Sequence, residues 1–515
     1  MKDFINAIKR FSSKVFFTSL DWIEKIGNKL PHPATLFFLL AVAVMLVSWV
    51  GSLFLLHAYH PVNGNIIEVN NLISADGFRW IYTNILSNFL NFPPLGFVIV
   101  GMIGIGLADG TGLFKVLIRS LVLNSPPKLV TGAVVAAGVF SSMAPEAGYV
   151  VLIPLSAMIF HGLGRHPLAG LAAAFCGVSG GFGANIFLGS IDMILAGITE
   201  SAARMIIPGM VINPAVNYYF MVVSSFVVIL VGVWVTERIV EPRLGEYLGT
   251  AERLPIDKPN TIEKKGLRLA ALGLLVVLAI LAISVIPEWG IFRNPDTGSI
   301  LHSPFFQGII IGILLMFFVP ALIYGIVVGT IKSDKHVAKL IGQSMAGLSS
   351  YIVLVFFASQ FIFLFGHSNL GIILAINGAQ FLQHIGLTGI TLIVAFVFFS
   401  GFLNLFMASS SAKWAIMAPV FVPMFMLVDP SYHPALTQVA FRIGDSLTNI
   451  ITPMMCYFAL ILTFAQKYDE KYGIGTIISI MLPYSIVLGI FWICLLIIWM
   501  HLGIPLGPDG LIFMN

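Results

Sequence analysis

The sequence predicts an all-α polytopic membrane protein, with about nine transmembrane helices and two re-entrant hairpins in an inverted repeat with broken helices. Three observations carry this. The 515-residue chain is 58% hydrophobic and 10% charged, against roughly 25% charged in a soluble domain, and apolar runs of about 20 residues recur along it. Two longer runs are broken at their middles in the same way. One reads Ser141-Ser142-Met143-Ala144-Pro145-Glu146-Ala147-Gly148-Tyr149 and reaches Pro154; the other reads Ser409-Ser410-Ser411-Ala412-Lys413-Trp414 and reaches Pro419. A His-Pro pair follows each, His166-Pro167 or His433-Pro434, and then a second polar break, Gly183-Ala184-Asn185 or Leu447-Thr448-Asn449. The third observation is the segregation of basic residues into alternate loops.

In chain order, residues 1–33 carry Lys2, Lys9, Arg10, Lys14, Lys25 and Lys29 between apolar residues at helical spacing. That pattern predicts a basic amphipathic helix on the cytoplasmic leaflet, with a solvated linker as the plain alternative. The first membrane half, 34–240, takes spans near 34–58 and 93–113, a hairpin over 128–163, a broken helix over 166–200 and a span near 214–236. A charged linker, 241–266, needs no fold of its own. The second half, 267–515, takes spans near 267–287, 305–330 and 341–366, a hairpin over 388–428, a broken helix over 434–466 and a span near 475–502. With this threading every basic stretch falls inside. Loops 59–92 and 288–304, each with a single arginine, fall outside. The N-terminus is thus cytoplasmic, and the unit of span, hairpin, broken span and span occurs twice in opposite orientation. Polar breaks in corresponding positions of two halves point to an alternating-access binding site at the midplane.

A net charge of +4 gives no reason to expect a nucleic-acid partner. The expected partners are membrane lipid and a small molecule. Cys176, Cys456 and Cys494 have no metal or disulfide spacing and read as small core residues.

Intramembrane charge is costly and by default functional. Arg442, Asp445 and Asn449 recur at i, i+3 and i+7 on one helical face. Arg442 offers a planar fork for an oxyanion, and Asp445 neutralises it when the site is empty; alternatively the pair only holds helices together. Asp192 follows Asn185 by seven residues across a glycine-broken stretch. With no basic neighbour in sequence, it is the better candidate to carry a proton or to help hold sodium, with helix capping as the alternative. At the tips, Ser141, Ser142, Ser409, Ser410 and Ser411 supply hydroxyls and helix ends that suit ions. Trp414 is a stacking wall for an aromatic substrate, or else ordinary packing. The Gly177-Val178-Ser179-Gly180 stretch matches a rhomboid-type protease motif without its His-xxx-Asn partner, so an intramembrane enzyme acting through Ser179 is the rival class.

The whole length resembles the AbgT family of p-aminobenzoyl-glutamate and antimetabolite transporters. The resemblance runs through Glu24-Lys25-Ile26-Gly27-Asn28-Lys29-Leu30-Pro31-His32-Pro33, Gly164-Arg165-His166-Pro167-Leu168-Ala169-Gly170, Ile239-Val240-Glu241-Pro242-Arg243-Leu244-Gly245 and Ala418-Pro419-Val420-Phe421-Val422-Pro423-Met424. It is strongest to the MtrF-like efflux branch in Phe187-Leu188-Gly189-Ser190-Ile191-Asp192 and in Arg442-Ile443-Gly444-Asp445-Ser446-Leu447-Thr448-Asn449. It implies a bowl-shaped homodimer in the bacterial inner membrane and transport driven by an ion gradient, with no cofactor. It assigns transport roles to Asp192, Trp414, Pro434, Arg442 and Asp445. Relatives can carry Ser-Asn-Thr at the first tip, where this chain has Ser141-Ser142-Met143. The departure shifts the expected coupling ion toward H+, with Na+ near Asn185, Asp192 and Asn449 as the alternative. The expected cargo is a p-aminobenzoyl-glutamate-like or sulfonamide-like compound leaving the cell; an uptake carrier for another aromatic or carboxylate metabolite is the second transport reading.

Overall fold

Backbone lying in hydrocarbon must satisfy its own polar groups, and this chain does so with helices. The computed structural model describes residues 31, 33–59, 66–123, 125–143, 148–249, 251, 259–300, 303–407, 409–428, 430–455 and 457–514. The expected amphipathic N-terminal helix lies outside them. Among the described residues, eight helices are long and apolar enough to cross a membrane, or nine if a bent pair counts as one span. That pair is Leu370–His384 and Gly389–Asn404, which meet at 118°. The turn between them uses Gly386 at φ 70° and Gly389 at φ 62°. Glycine adopts that left-handed conformation without strain.

Burial sorts the helices. All of Pro167–Phe175 is buried, and so is all of Pro434–Asn449 except Thr448. These two stand at the centre. Thr261–Val285 buries few of its residues and lies at the periphery. It starts on a reciprocal cap between Asn260 and Glu263, which satisfies two backbone donors that a helix start leaves over. Glu263 also takes Arg119 at 2.7 Å.

The two halves build their broken helices alike. Pro167 and Pro434 each occupy a first turn, where the missing N–H costs nothing. The preceding histidine caps each one: His166 Nδ1 accepts from the Leu168 N–H and His433 Nδ1 from the Ala435 N–H, both at 3.2 Å. The first helix then widens into a π turn, Cys176–Gly180, and loses helical form before Ser190–Ala203. The second stops at Asn449 and resumes at Phe458–Gln466. In the second hairpin, arms Gly389–Asn404 and Ser410–Leu427 are separated by residues 405–407 and 409, which are not helical. In the first, Val130–Phe140 leads through Ser141–Met143, and a π turn, Gly148–Leu152, begins the return arm Ile153–Gly162. Residues 144–147, Glu146 among them, lie outside the described set.

Five expectations need correcting. The span placed at 34–58 ends at Leu53, and His57–Tyr59 pairs antiparallel with Ile66–Glu68 of the segment 59–92, which is not simply a loop and also carries a helix, Ala75–Leu90, capped by Ser74 Oγ. That helix is studded with Asp76, Arg79, Asn84 and Asn88, which hides it from a hydropathy reading. The span placed at 341–366 starts at Ser349, because Asp334–Gly347 is a separate polar helix. Helix Leu370–His384 falls between the expected elements, because an abrupt turn, with Asn369 at φ 63°, precedes it. The linker 241–266 is helical at both ends, over Glu241–Leu244 and from Thr261.

Candidate functional site

Two buried ion pairs mark the centre, and neither is the pair that sequence spacing suggests. Arg442 and Asp445 share a helix, but each finds its partner elsewhere. Arg442 Nη1 donates to Asp192 Oδ1 at 2.6 Å, bridging the two halves. Lys413 Nζ donates to Asp445 Oδ1 at 2.5 Å, within the second half. All four side chains are about 2% exposed. The reading of Asp445 as neutraliser of Arg442 is therefore overturned, and Asp192, which has no basic neighbour in sequence, has one in space from 250 residues away.

Asp192 both caps a helix and takes an ion. It is the third residue of Ser190–Ala203, and its Oδ2 accepts from the Gly189 N–H at 2.7 Å and from Asn185 Nδ2 at 2.5 Å. Asn185 Oδ1 faces Arg442 Nη2 at 3.4 Å. The unwound stretch between the two half-helices thus serves to turn Asn185 back onto Asp192. Arg442 Nε, although buried, has no partner among the described residues. The first hairpin tip abuts this cluster: a methyl added at Gly189 would lie 3.5 Å from the Ser142 carbonyl oxygen and 3.9 Å from Asp192 Oδ2. Ser141 points its hydroxyl to the Gly138 carbonyl at 2.7 Å.

The second cluster gathers at the other tip. Asn404, on the opposite arm of the hairpin from Lys413, accepts from Lys413 Nζ at 2.7 Å through Oδ1. Asn449 Nδ2 lies 3.3 Å from Asp445 Oδ2. Asn449 thus bonds Asp445 and, through Oδ1, Asn404, while Asn185 bonds Asp192. Ser409 caps Ser410–Leu427, with Oγ 3.4 Å from the Ala412 N–H and 3.5 Å from Ser411 Oγ. Ser410 is buried, and Pro434 opens the helix that carries Arg442 and Asp445.

Trp414 is wholly buried. Its indole N–H donates to Thr199 Oγ1 at 3.0 Å, and its ring meets that of Phe441 at 4.5 Å. Thr199 in turn lies 2.6 Å from Gln438 Oε1, one turn before Arg442, and Gln438 Nε2 has no partner among the described residues. Sequence reasoning missed Asn404, Thr199, Gln438 and Phe441, and gave Lys413 no role. The one available signal was Lys413 itself, a charge at membrane depth.

Gly183 lets the halves close. Its N–H donates to Ser446 Oγ at 2.7 Å, and a Cβ there would sit 2.5 Å from that oxygen and 2.8 Å from the Arg442 carbonyl oxygen. Ser179, the candidate nucleophile of the enzyme reading, bonds Tyr149 Oη at 2.8 Å and Met455 Sδ at 3.1 Å. Neither group is a general base of the kind a serine nucleophile needs. Tyr149 stacks on Tyr457 at 4.3 Å and ties the first hairpin to the second broken helix.

Comparison with known proteins agrees with this architecture. A family model described as "AbgT putative transporter family" matches residues 18–514. The p-aminobenzoyl-glutamate transport protein of Escherichia coli (strain K12) is 38% identical over 490 residues, covering 95% of each chain. The solved structure of the Alcanivorax borkumensis YdaH transporter, described as having an unusual topology, matches with TM-score 0.89 and 41% identity over 93% of this chain and 100% of that one. Neisseria gonorrhoeae MtrF, described as illuminating a class of antimetabolite efflux pumps, matches with TM-score 0.90 and 46% identity over 95% and 99% of the two chains.

Proposed function

The chain belongs to the AbgT transporter family, and from that premise we propose that it is a secondary active transporter of small aromatic compounds bearing an oxyanion. Its cargo is then p-aminobenzoyl-glutamate, as for the Escherichia coli relative, or sulfonamide-like antimetabolites, in line with the efflux pumps typified by MtrF. Family membership sets aside the enzyme reading. The observation that carries the proposal is the Arg442–Asp192 pair joining the two halves in a buried site. A guanidinium fork suits a carboxylate or sulfonamide anion. The substrate oxyanion takes the place of Asp192 on Arg442, and the released Asp192 carboxylate binds a proton drawn from the aqueous side. Substrate, proton and the opening of the pair are thereby linked. Trp414 becomes an aromatic wall only when the halves part, since its ring is wholly buried in this closed arrangement. Sodium is the alternative coupling ion.

We place the protein in the bacterial inner membrane, with a cytoplasmic N-terminus and as a homodimer. The thinly buried helix Thr261–Val285 supplies apolar surface for lipid or a second copy. Purified protein in sealed vesicles, given proton and sodium gradients separately, tests the reading. Expected is uphill movement of p-aminobenzoyl-glutamate or a sulfonamide under a proton gradient, abolished by a protonophore. Movement indifferent to both gradients would overturn it.

A further inference from the structure

The Lys413 cluster has a chemistry that the transport reading does not use. A carboxylate oxygen of Asp445 and the amide oxygen of Asn404 converge on one point, and the ammonium of Lys413 occupies it, at 2.5 and 2.7 Å. The Asn404 amide is oriented by its surroundings, because Nδ2 faces the Asp445 carbonyl at 2.9 Å, Thr448 Oγ1 at 2.9 Å and Asn449 Oδ1 at 2.8 Å. The Thr448 hydroxyl donates to the Gly444 carbonyl at 2.9 Å, so reversing the amide would set its oxygen against acceptors. The Phe441 ring centroid lies 5.2 Å from Nζ and adds the negative face of an aromatic ring. A carboxylate oxygen, an amide oxygen and an aromatic face, all buried, are groups that attract a small monovalent cation to this position.

We propose that Lys413 is a tethered cation that fills a monovalent-cation site formed by Asp445 and Asn404, so that this tip holds no sodium while the lysine is present and becomes a sodium site when its charge is removed. A buried carboxylate requires a positive partner. The charges of Asp192, Arg442, Asp445 and Lys413 sum to zero, so the closed site is neutral without an imported ion. The placement matters as well. Lys413 and Asp445 both belong to the second half, and Asn404 lies on the other arm of the same hairpin. The pair therefore travels with one half as a unit, whereas the Arg442–Asp192 pair spans the gap between halves. The inference stands on this ion pair and not on the cargo assigned above.

Thermal unfolding of the purified full-length protein, in sodium chloride against choline chloride at equal ionic strength, tests it. The unaltered protein should melt at the same temperature in both salts. Lys413→Met, which keeps most of the length and removes the charge, should gain a sodium-specific rise of roughly 2–4 °C, and adding Asp445→Asn should remove that rise. A folded Lys413→Met protein indifferent to sodium would overturn the proposal. So would an unaltered protein whose sodium-specific stabilisation disappears on Asp445→Asn, since a free ion would then already share the site. If Lys413→Met fails to fold in either salt, the Lys413→Met/Asp445→Asn pair decides: with both charges gone the proposal expects a folded, sodium-indifferent protein. Failure of the pair to fold would show that the lysine does something other than neutralise Asp445.

Discussion

Replacing Arg442 by methionine strands Asp192 in a setting about 2% exposed. Removing one partner of a buried ion pair costs about 3–5 kcal/mol, because the other charge remains desolvated. Here Asp192 keeps two neutral donors, the Gly189 N–H and the Asn185 amide, so a loss near the lower end, about 3 kcal/mol, is expected. Adding Asp192→Asn removes the stranded charge while leaving an oxygen for the same donors. The double variant should therefore lose less than the sum of the two single losses, by about 0.5–3 kcal/mol. Thermal unfolding of the two single variants and the double gives the cycle. Function should follow a different order. Arg442→Met and the double variant should both lose substrate affinity by roughly 10- to 150-fold, the value of a charge-assisted hydrogen bond of about 1.5–3 kcal/mol. Arg442→Lys should restore part of it, since a point charge lacks the fork. Asp192→Asn should still bind substrate while transport ceases to respond to a proton gradient. A double variant no more stable than the sum of the single losses would refute the reasoning: Asp192 would then be held by its neutral donors alone, and the pair would not be the latch between the halves.

Two further substitutions probe the same centre. Trp414→Phe should cost about 0.5–1.5 kcal/mol through loss of the bond to Thr199, and Trp414→Ala about 3–5 kcal/mol through the cavity it leaves; equal melting temperatures for the two would remove packing as the explanation. Gly183→Ala places a methyl 2.8 Å from the Arg442 carbonyl oxygen. Backbone yields poorly, so a destabilisation of about 1–3 kcal/mol is expected. An unchanged melting temperature with normal flux would mean that the halves can part there at no cost.

What sequence could show, and what it could not, divides along the reach of local pattern. The duplicated His-Pro pairs are readable, and their equivalence is visible as two identical caps at His166 and His433. The tips at Ser141–Ser142 and Ser409–Ser411 are readable because serine clusters interrupt apolar runs. Helix Ala75–Leu90 is not, since its polar residues suppress the hydropathy signal on which span assignment rests. At the centre, Asp192, Arg442 and Asp445 stand out as charges where charge is expensive. Their pairing does not. Helical spacing favours Arg442 with Asp445, yet the partners come from positions 250 and 32 residues away. Thr199 and Gln438 are small or neutral polar residues on helices, and only their bond to each other, with Trp414 donating to Thr199, distinguishes them from any other such residue.

The separation of Asp192 from Arg442 also sets a schedule for biogenesis. The two lie 250 residues apart in the chain. Synthesis at about 5–20 residues per second leaves an interval of roughly 12–50 s between them. Throughout it Asp192 has been made and its guanidinium does not yet exist. The donors that are local in sequence, Asn185 seven residues before it and the Gly189 N–H three before it, are already present. The cap at the head of Ser190–Ala203 thus gives a nascent carboxylate company in the membrane until the second half arrives, and the first half can be inserted before its counter-charge is translated.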